Sequence, residues 1–144
     1  MNEQEILRQK APHYLLCFID RCPLHATCLH WLCGQEASTT EGVVTSVNPR
    51  HPDNATDHCP YYREKKAVSC AKGMVNFYQE MPREKEETIK GRLISIYNRK
   101  TYYEYRNGVR LIPPAMQRQI ARICRESGWT QDPQYDDWQD DFLW

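Results

Sequence analysis

The chain has 144 residues, with 19 basic and 19 acidic side chains and therefore no formal net charge. This length favours one domain or two small packed halves. No stretch approaches the roughly 20 apolar residues that a membrane-spanning helix requires, so we expect no membrane partner. The polar, acidic start Met1–Glu5 is unlike a secretory signal peptide. We therefore expect a cytoplasmic protein, in which disulfides are rare.

Regular elements are predicted in chain order from apolar spacing and turn residues. Residues 3–10 suit a short helix. Pro23–Leu32 suits a second helix, with proline in its first turn and Gly34 as its stop. Val43–Val47 favours a short strand, and turn residues indicate a loop over much of 35–60.

The second half of the chain is predicted to be helical. One helix covers Ala67–Gln79, and three more cover 83–97, 100–107 and 114–127. Residues 126–144 are acidic and contain no Lys or Arg, which leaves residues 1–125 with a net charge of about +6. A basic body with an acidic tail favours an anionic partner or a tail that shields a basic face, although the tail could simply be solvated. The tail is also rich in aromatic residues, so we expect it to dock on the body.

Four of the seven cysteines are predicted to bind a metal ion. They are spaced Cys17-x4-Cys22-x5-Cys28 and are followed across a loop by Cys59. Four thiolates suit a tetrahedral Zn²⁺ site, and they also suit an iron–sulfur cluster. The spacings differ from the x2 spacing of common zinc ribbons. Small buried thiols without a metal are therefore the third interpretation.

Other side chains near these cysteines could replace a ligand. They are Cys33, His25, His30, His51 and His58. Cys70 and Cys124 lie in helical patterns instead, where we expect them to pack in the core.

Residues 101–108 read Thr-Tyr-Tyr-Glu-Tyr-Arg-Asn-Gly, and a further helix follows that ends at Gly128. Together with the helix at 83–97, they resemble the helix-turn-helix of lactose-repressor-type and phage-repressor-type DNA-binding domains. The resemblance implies that Tyr102 and Tyr105 face the core. It also implies that the N-terminal residues of the middle helix, Arg99, Lys100, Tyr103 and Glu104, face the major groove.

The charge of this segment also favours contact with nucleic acid, because residues 83–125 contain 11 Lys or Arg against four Glu. Arg99 could read a guanine edge, whereas arginines further along could bind phosphate. Glu104 and Arg106 depart from the repressor pattern, so a helical module that binds another protein is the alternative. The predicted nucleic-acid-binding residues are Arg99, Lys100, Tyr103, Arg106, Arg110 and Arg118.

A second resemblance covers the whole chain. It rests on the Cys-rich start, the Cys-Pro-Tyr-Tyr step at 59–62, the 102–108 segment and the Tyr-Asp-Asp-Trp run at 135–138. These segments are similar to a small uncharacterised protein family of gut Bacteroides-type bacteria. That family has no assigned activity, so the resemblance implies none.

No motif of an enzyme is present. Gly-rich phosphate loops, Gly-x-Ser-x-Gly and His-Glu-x-x-His are all missing from the sequence. We therefore predict a non-enzymatic protein that binds nucleic acid or another protein. Its predicted fold is mainly α, with a metal-stapled Cys-rich unit (1–65), a helix-turn-helix-like unit (66–131) and a docked acidic, aromatic tail (132–144).

Overall fold

The computed structural model describes residues 1–37, 39 and 41–144. Five α-helices are found there: α1 (Glu3–Lys10), α2 (Leu29–Glu36), α3 (Arg83–Tyr97), α4 (Arg99–Arg106) and α5 (Pro114–Glu126). Short 3₁₀ helices cover Ala11–His13, His25–Thr27 and Asn76–Tyr78. Two strands, β1 (Ala67–Lys72) and β2 (Asp137–Phe142), form an antiparallel sheet.

The predicted fold class is wrong in two respects. The chain is not simply helical, because β1 replaces the first part of the helix predicted over Ala67–Gln79 and pairs with β2 in the tail. The predicted metal staple is not supported either. Among the described residues, no three or more His, Cys, Asp or Glu side chains are arranged as a group that could hold a metal ion. Apolar clusters form the core instead.

The register of the sheet is set by backbone hydrogen bonds near both ends of the strands. Asp136 N donates to Gly73 O at 3.1 Å, and Leu143 N donates to Lys66 O at 2.9 Å. Gly73 has φ +82° directly after β1, a conformation that favours glycine. The partner of β1 lies more than sixty residues away along the chain, so local sequence patterns do not reveal the pairing.

The first compact unit comprises Met1–Ala67 and Asp141–Trp144. α1 begins with a capping box in which Asn2 and Glu5 exchange side-chain-to-backbone hydrogen bonds. The predicted Val43–Val47 strand is wrong, since this segment contributes only the isolated bridge between Leu16 and Ser46. The buried core of this unit consists of Ile6, Leu7, Ala11, Leu16, Leu29, Cys33 and Phe142, with a smaller cluster of Cys17, Ile19 and Val47.

α2 differs from the helix predicted over Pro23–Leu32. It begins only after Cys28, whose backbone is extended and bridges to Glu64. It also runs through Gly34, which the sequence analysis places at the stop. A Cβ on Gly34 would lie 2.3 Å from the carbonyl oxygen of Cys17. Glycine is therefore required there because two backbone segments approach closely.

The second compact unit is Val68–Asp140. Its three helices lie within about one residue of the predicted ranges, because proline and glycine mark their ends. Gly128 follows α5 with φ +85°, and Asn98 caps α4 by accepting a hydrogen bond from Thr101 N. The helices bury one continuous core that includes Met74, Ile89, Leu93, Tyr102, Ile112, Ile120 and Ile123. Within the described part of the chain, no helix has the length and apolar character needed to cross a bilayer.

Candidate functional site

The four cysteines predicted as metal ligands line one small cavity in the first unit. This thiol cavity, lined by Cys17, Cys22, Cys28 and Cys59, has a volume of about 20 Å³. The first three residues are buried, and Cys59 is half-buried. Residues from elsewhere in the unit complete the walls, among them Leu24, Trp31, Val47, Ala55, Tyr61 and Tyr62.

Backbone contacts around Cys17 fix one side of the cavity. Cys17 N donates to His30 O at 3.0 Å, which holds the residue against α2. The neighbouring Leu16 donates to Thr45 O and accepts from Val47 N, so the 45–47 segment lies alongside. The close approach of Gly34 to the carbonyl of Cys17 completes this arrangement. The backbone at Leu16 and Cys17 is therefore held between α2 and the 45–47 segment.

Cys28 and Cys59 are brought together by the segment that follows Cys59. Leu29 N donates to Arg63 O at 2.8 Å, and Lys65 N donates to Thr27 O at 2.7 Å. These bonds flank the antiparallel bridge between Cys28 and Glu64. These hydrogen bonds therefore hold the end of the long loop that follows α2 against the start of that helix.

Cys22 and Cys59 open two turns of the same kind. In each, proline follows the cysteine, and the residue three positions on donates its backbone N–H to the cysteine carbonyl at 3.2 Å. The donors are His25 and Tyr62. Proline suits the second position of such a turn because its φ is fixed in advance. The two Cys-Pro steps are thus matching local structures that present thiols to one cavity.

Burial and neighbouring thiols dominate the electrostatics of Cys17. Desolvation raises the pKa of its thiol, and the nearby Cys28, Cys22 and Cys59 thiols raise it further. A hydrogen bond from the backbone of Ile19 acts in the opposite direction and lowers this pKa. These effects together favour the neutral thiol of Cys17 over the thiolate.

Two of the four histidines considered as substitute ligands lie at the cavity wall. The Nδ1 atoms of His25 and His30 lie 2.7 Å from the carbonyl oxygens of Cys22 and Leu15. A carbonyl only accepts, so each Nδ1 carries the proton and each Nε2 keeps its lone pair when the ring is neutral. Burial lowers the pKa of His30, which favours the neutral ring. His51 and His58 are exposed and do not line the cavity.

The remaining cysteines are buried away from the cavity. Burial raises the pKa of Cys33 to about 12 and that of Cys124 to about 11. Cys33 Sγ lies 3.8 Å from Leu7 O within the core of the first unit. Cys70, on β1, is also buried. The thiols of Cys33 and Cys124 are therefore poor nucleophiles at neutral pH, because the thiolate is the reactive form.

The structure also places the residues predicted to contact nucleic acid. Tyr102 and Tyr105 are buried, as predicted, while Arg99 and Lys100 are exposed on α4. Tyr103 is half-buried, and Lys90 Nζ lies 5.5 Å from the centre of its ring. Arg106 is also half-buried, whereas Arg110 and Arg118 are exposed.

Glu104 neutralises part of this surface. Its Oε2 lies 2.8 Å from both Nε and Nη2 of Arg110, which forms a two-nitrogen ion pair. Its Oε1 lies 4.0 Å from Lys100 Nζ. Two of the six predicted nucleic-acid-binding residues, Lys100 and Arg110, are therefore paired with the same carboxylate.

Asp136 in the tail has a structural role that local sequence patterns do not indicate. Its Oδ2 accepts from Val75 N at 2.8 Å, and its Oδ1 accepts from Asn76 N at 2.7 Å. The carboxylate therefore caps the 3₁₀ helix at Asn76–Tyr78. In the same tail, Phe142 is buried, whereas Trp138 is 52% exposed.

The whole chain, residues 1–144, matches the model of a family of unknown function, DUF6078. The protein belongs to this family. No curated protein and no solved structure matches the chain. Family membership therefore agrees with the resemblance to an uncharacterised family and assigns no activity.

Proposed function

We propose that this protein is a non-enzymatic metal-binding protein whose thiol cavity takes one thiophilic ion, in the first place Zn²⁺. One observation carries the proposal: four cysteines that span residues 17–59 of the sequence line the same cavity. Zn²⁺ is commonly held by four thiolates in tetrahedral geometry. Chance burial of small apolar thiols would not require all four of them to line the same cavity.

The size of the cavity favours a single ion over a cluster. About 20 Å³ is close to the space that one water molecule needs. An iron–sulfur cluster also takes four cysteines, but its several metal and sulfide atoms need more room. We therefore rank Zn²⁺ above the iron–sulfur alternative.

The proposal concerns what the cavity binds and not what holds the unit together. The apolar clusters around Leu29 and Val47 form the buried core of this unit. The side chains around the cavity are not in a ligating arrangement. Binding would therefore combine loss of the thiol protons with closure of the side chains on the ion. His25 and His30 could replace a cysteine ligand and bind the ion through Nε2. In each ring Nδ1 is hydrogen-bonded to a backbone carbonyl, as is usual for histidines that bind metal ions.

Four thiolate ligands leave no open position for water or substrate on a tetrahedral ion. Catalytic zinc sites have three protein ligands and keep the fourth position open. A fully thiolate-bound ion is therefore consistent with a protein that is not an enzyme.

Elemental analysis and cobalt substitution test the proposal. We expect about one zinc ion for each chain of purified protein. Co²⁺ in place of zinc should give the intense thiolate-to-cobalt absorption of a tetrahedral site. Cys22→Ser should lower both signals, whereas Cys33→Ala, which removes a buried thiol outside the cavity, should leave them unchanged.

Three outcomes would contradict the proposal. Protein that neither contains zinc nor takes up Co²⁺ would show that the thiols are only packed side chains. A brown protein with iron and sulfide would support the cluster instead. Equal loss of metal in Cys22→Ser and Cys33→Ala would mean that the cavity is not the binding site.

A further inference from the structure

α5 presents a row of arginines on the side opposite its buried face. Arg118, Arg122 and Arg125 are all exposed and follow one another at intervals of four and three residues. Residues at these intervals lie on one face of a helix, and with a rise of about 1.5 Å each they extend over about 10 Å. Ile120, Ile123 and Cys124 of the same helix are buried in the core. We call Arg118, Arg122 and Arg125 the arginine row.

One carboxylate accompanies the arginine row, and another arginine already binds it. Glu126 Oε2 lies 2.7 Å from Arg92 Nη2, while its Oε1 lies 3.8 Å from Arg122 Nε. The hydrogen bond from Arg92 is the main reason that the pKa of Glu126 is lowered. Arg92 and Arg122 therefore share the negative charge of Glu126, and the three arginines of the row keep a positive excess.

The middle helix α4 is less suited to reading bases than its sequence suggests. Glu104 pairs with Arg110 and lies within 4.0 Å of Lys100, which offsets charge on that surface. A carboxylate at this position also repels phosphates. On α5 the carboxylate of Glu126 is instead bound by Arg92 at 2.7 Å and lies 3.8 Å from Arg122.

We propose that the arginine row binds the phosphate backbone of nucleic acid without reading its sequence. Arginine forms paired, charge-assisted hydrogen bonds to phosphate oxygens. Such contacts carry no sequence information by themselves. This inference does not depend on the metal in the thiol cavity, because it rests on residues of α3 and α5 alone.

The composition of α5 argues for phosphates and against an apolar partner. All of α5 lies in the described part of the chain, and none of its large apolar side chains is exposed. Protein interfaces generally place aromatic or aliphatic anchors at their centre, and peripheral membrane helices insert an apolar face. A face of regularly spaced arginines without an exposed large apolar side chain lacks both features.

Fluorescence anisotropy with two labelled duplexes of equal length and unrelated sequence tests this inference. The full-length protein should bind both duplexes with equal affinity. The affinity should fall steeply between roughly 50 and 200 mM salt. The triple variant Arg118→Gln, Arg122→Gln, Arg125→Gln should bind about tenfold or more weakly at the lower salt concentration. Its slope of log K against log salt should flatten by about 0.9 for each phosphate that the variant no longer neutralises.

Two control variants separate the arginine row from cations elsewhere on the surface. Arg50→Gln, Lys66→Gln, Arg83→Gln removes three exposed cations from other segments and should bind nearly as the unaltered protein does. Arg99→Gln, Lys100→Gln removes the exposed cations at the start of α4 and should also have little effect. Circular dichroism should show unchanged helix content in all three variants.

The inference is overturned by any of three results. The unaltered protein could show no binding at micromolar concentration at low salt, which would favour a protein partner. The α4 variant could lose binding and sequence preference while the α5 variant keeps them, which would restore base reading by α4. The control triple could lose as much affinity as the α5 triple, which would indicate a general charge effect.

Discussion

The two compact units are built in different ways. In Val68–Asp140, three consecutive helices cover most of one continuous apolar core. In Met1–Ala67 with Asp141–Trp144, two short helices are joined by turns, 3₁₀ segments and isolated bridges. The helical unit satisfies its backbone mostly locally. The other unit depends on bonds between distant segments, such as Leu29 N to Arg63 O.

This difference has a functional consequence. Irregular segments can bring residues from several places in the sequence around one cavity, and the thiol cavity forms in this way. Helices instead repeat side chains at fixed intervals along one surface, which is how the arginine row forms. Each unit therefore offers the kind of site that its backbone can build.

Truncation of a buried leucine in each unit should give the largest effect. Leu93 of α3 and Leu29 of α2 are both fully buried, so Leu93→Ala and Leu29→Ala remove the same atoms. Leu→Ala changes in cores cost about 2–5 kcal/mol, depending on how far the surroundings collapse. We expect Leu93→Ala to lie near the upper end, because helices on several sides hold the cavity open. Leu29→Ala should cost less, since loops can move in.

Urea unfolding followed by circular dichroism and by tryptophan fluorescence measures both changes. The free energy of unfolding is compared with that of the unaltered protein at the same protein concentration. A larger loss for Leu29→Ala would mean that the irregular unit is packed as rigidly as the helical one.

The two units also differ in how well their elements can be predicted from the sequence. The bounds of α3, α4 and α5 are predictable because prolines and glycines near their ends are local signals, namely Pro82, Gly108, Pro113, Pro114 and Gly128. β1 is not, since its hydrogen-bonding partner is a tail that the sequence analysis treats as a separate segment. Local sequence patterns predict a helix over Ala67–Gln79, but the conformation of β1 depends on its pairing with a distant strand.

The candidate site shows the same limit. The density of Cys17, Cys22, Cys28 and Cys59 predicts a metal site. The structure places all four around one cavity, although no three of the described His, Cys, Asp or Glu side chains are arranged to hold a metal ion. Their fixation by the 45–47 and 63–65 segments was not predictable, because those bonds join loops. Gly34 was the missed signal: a glycine inside an apolar helical stretch often marks a close backbone approach.

Two helix glycines provide a sharper test of the comparison. Gly34 in α2 and Gly91 in α3 are both inside helices, where alanine is intrinsically favoured by about 0.5–1 kcal/mol. A Cβ on Gly34 would meet the Cys17 carbonyl at 2.3 Å, so Gly34→Ala should destabilise by about 1–3 kcal/mol. A Cβ on Gly91 meets no other described atom within 4 Å, so Gly91→Ala should stabilise the protein.

Thermal unfolding of the two variants, measured side by side, decides the sign of each effect. Gly34→Ala should also reduce zinc or cobalt uptake, because it displaces the backbone of Cys17 at the thiol cavity. If Gly34→Ala were as stable as Gly91→Ala, the close approach of α2 to Cys17 would be incorrect.

The smallest expected loss of stability is that of Asp136→Ala, which tests whether the helical unit also depends on contacts between distant parts of the chain. Asp136 accepts hydrogen bonds from Val75 N and Asn76 N, about sixty residues earlier in the chain. Removing the carboxylate leaves two backbone donors to water, so Asp136→Ala should cost about 1 kcal/mol. Asp140→Ala, which removes an exposed carboxylate on β2, is the matched control and should change stability little. Hydrogen exchange at Val75 and Asn76 should accelerate only in Asp136→Ala, and equal exchange in both variants would show that the cap contributes nothing.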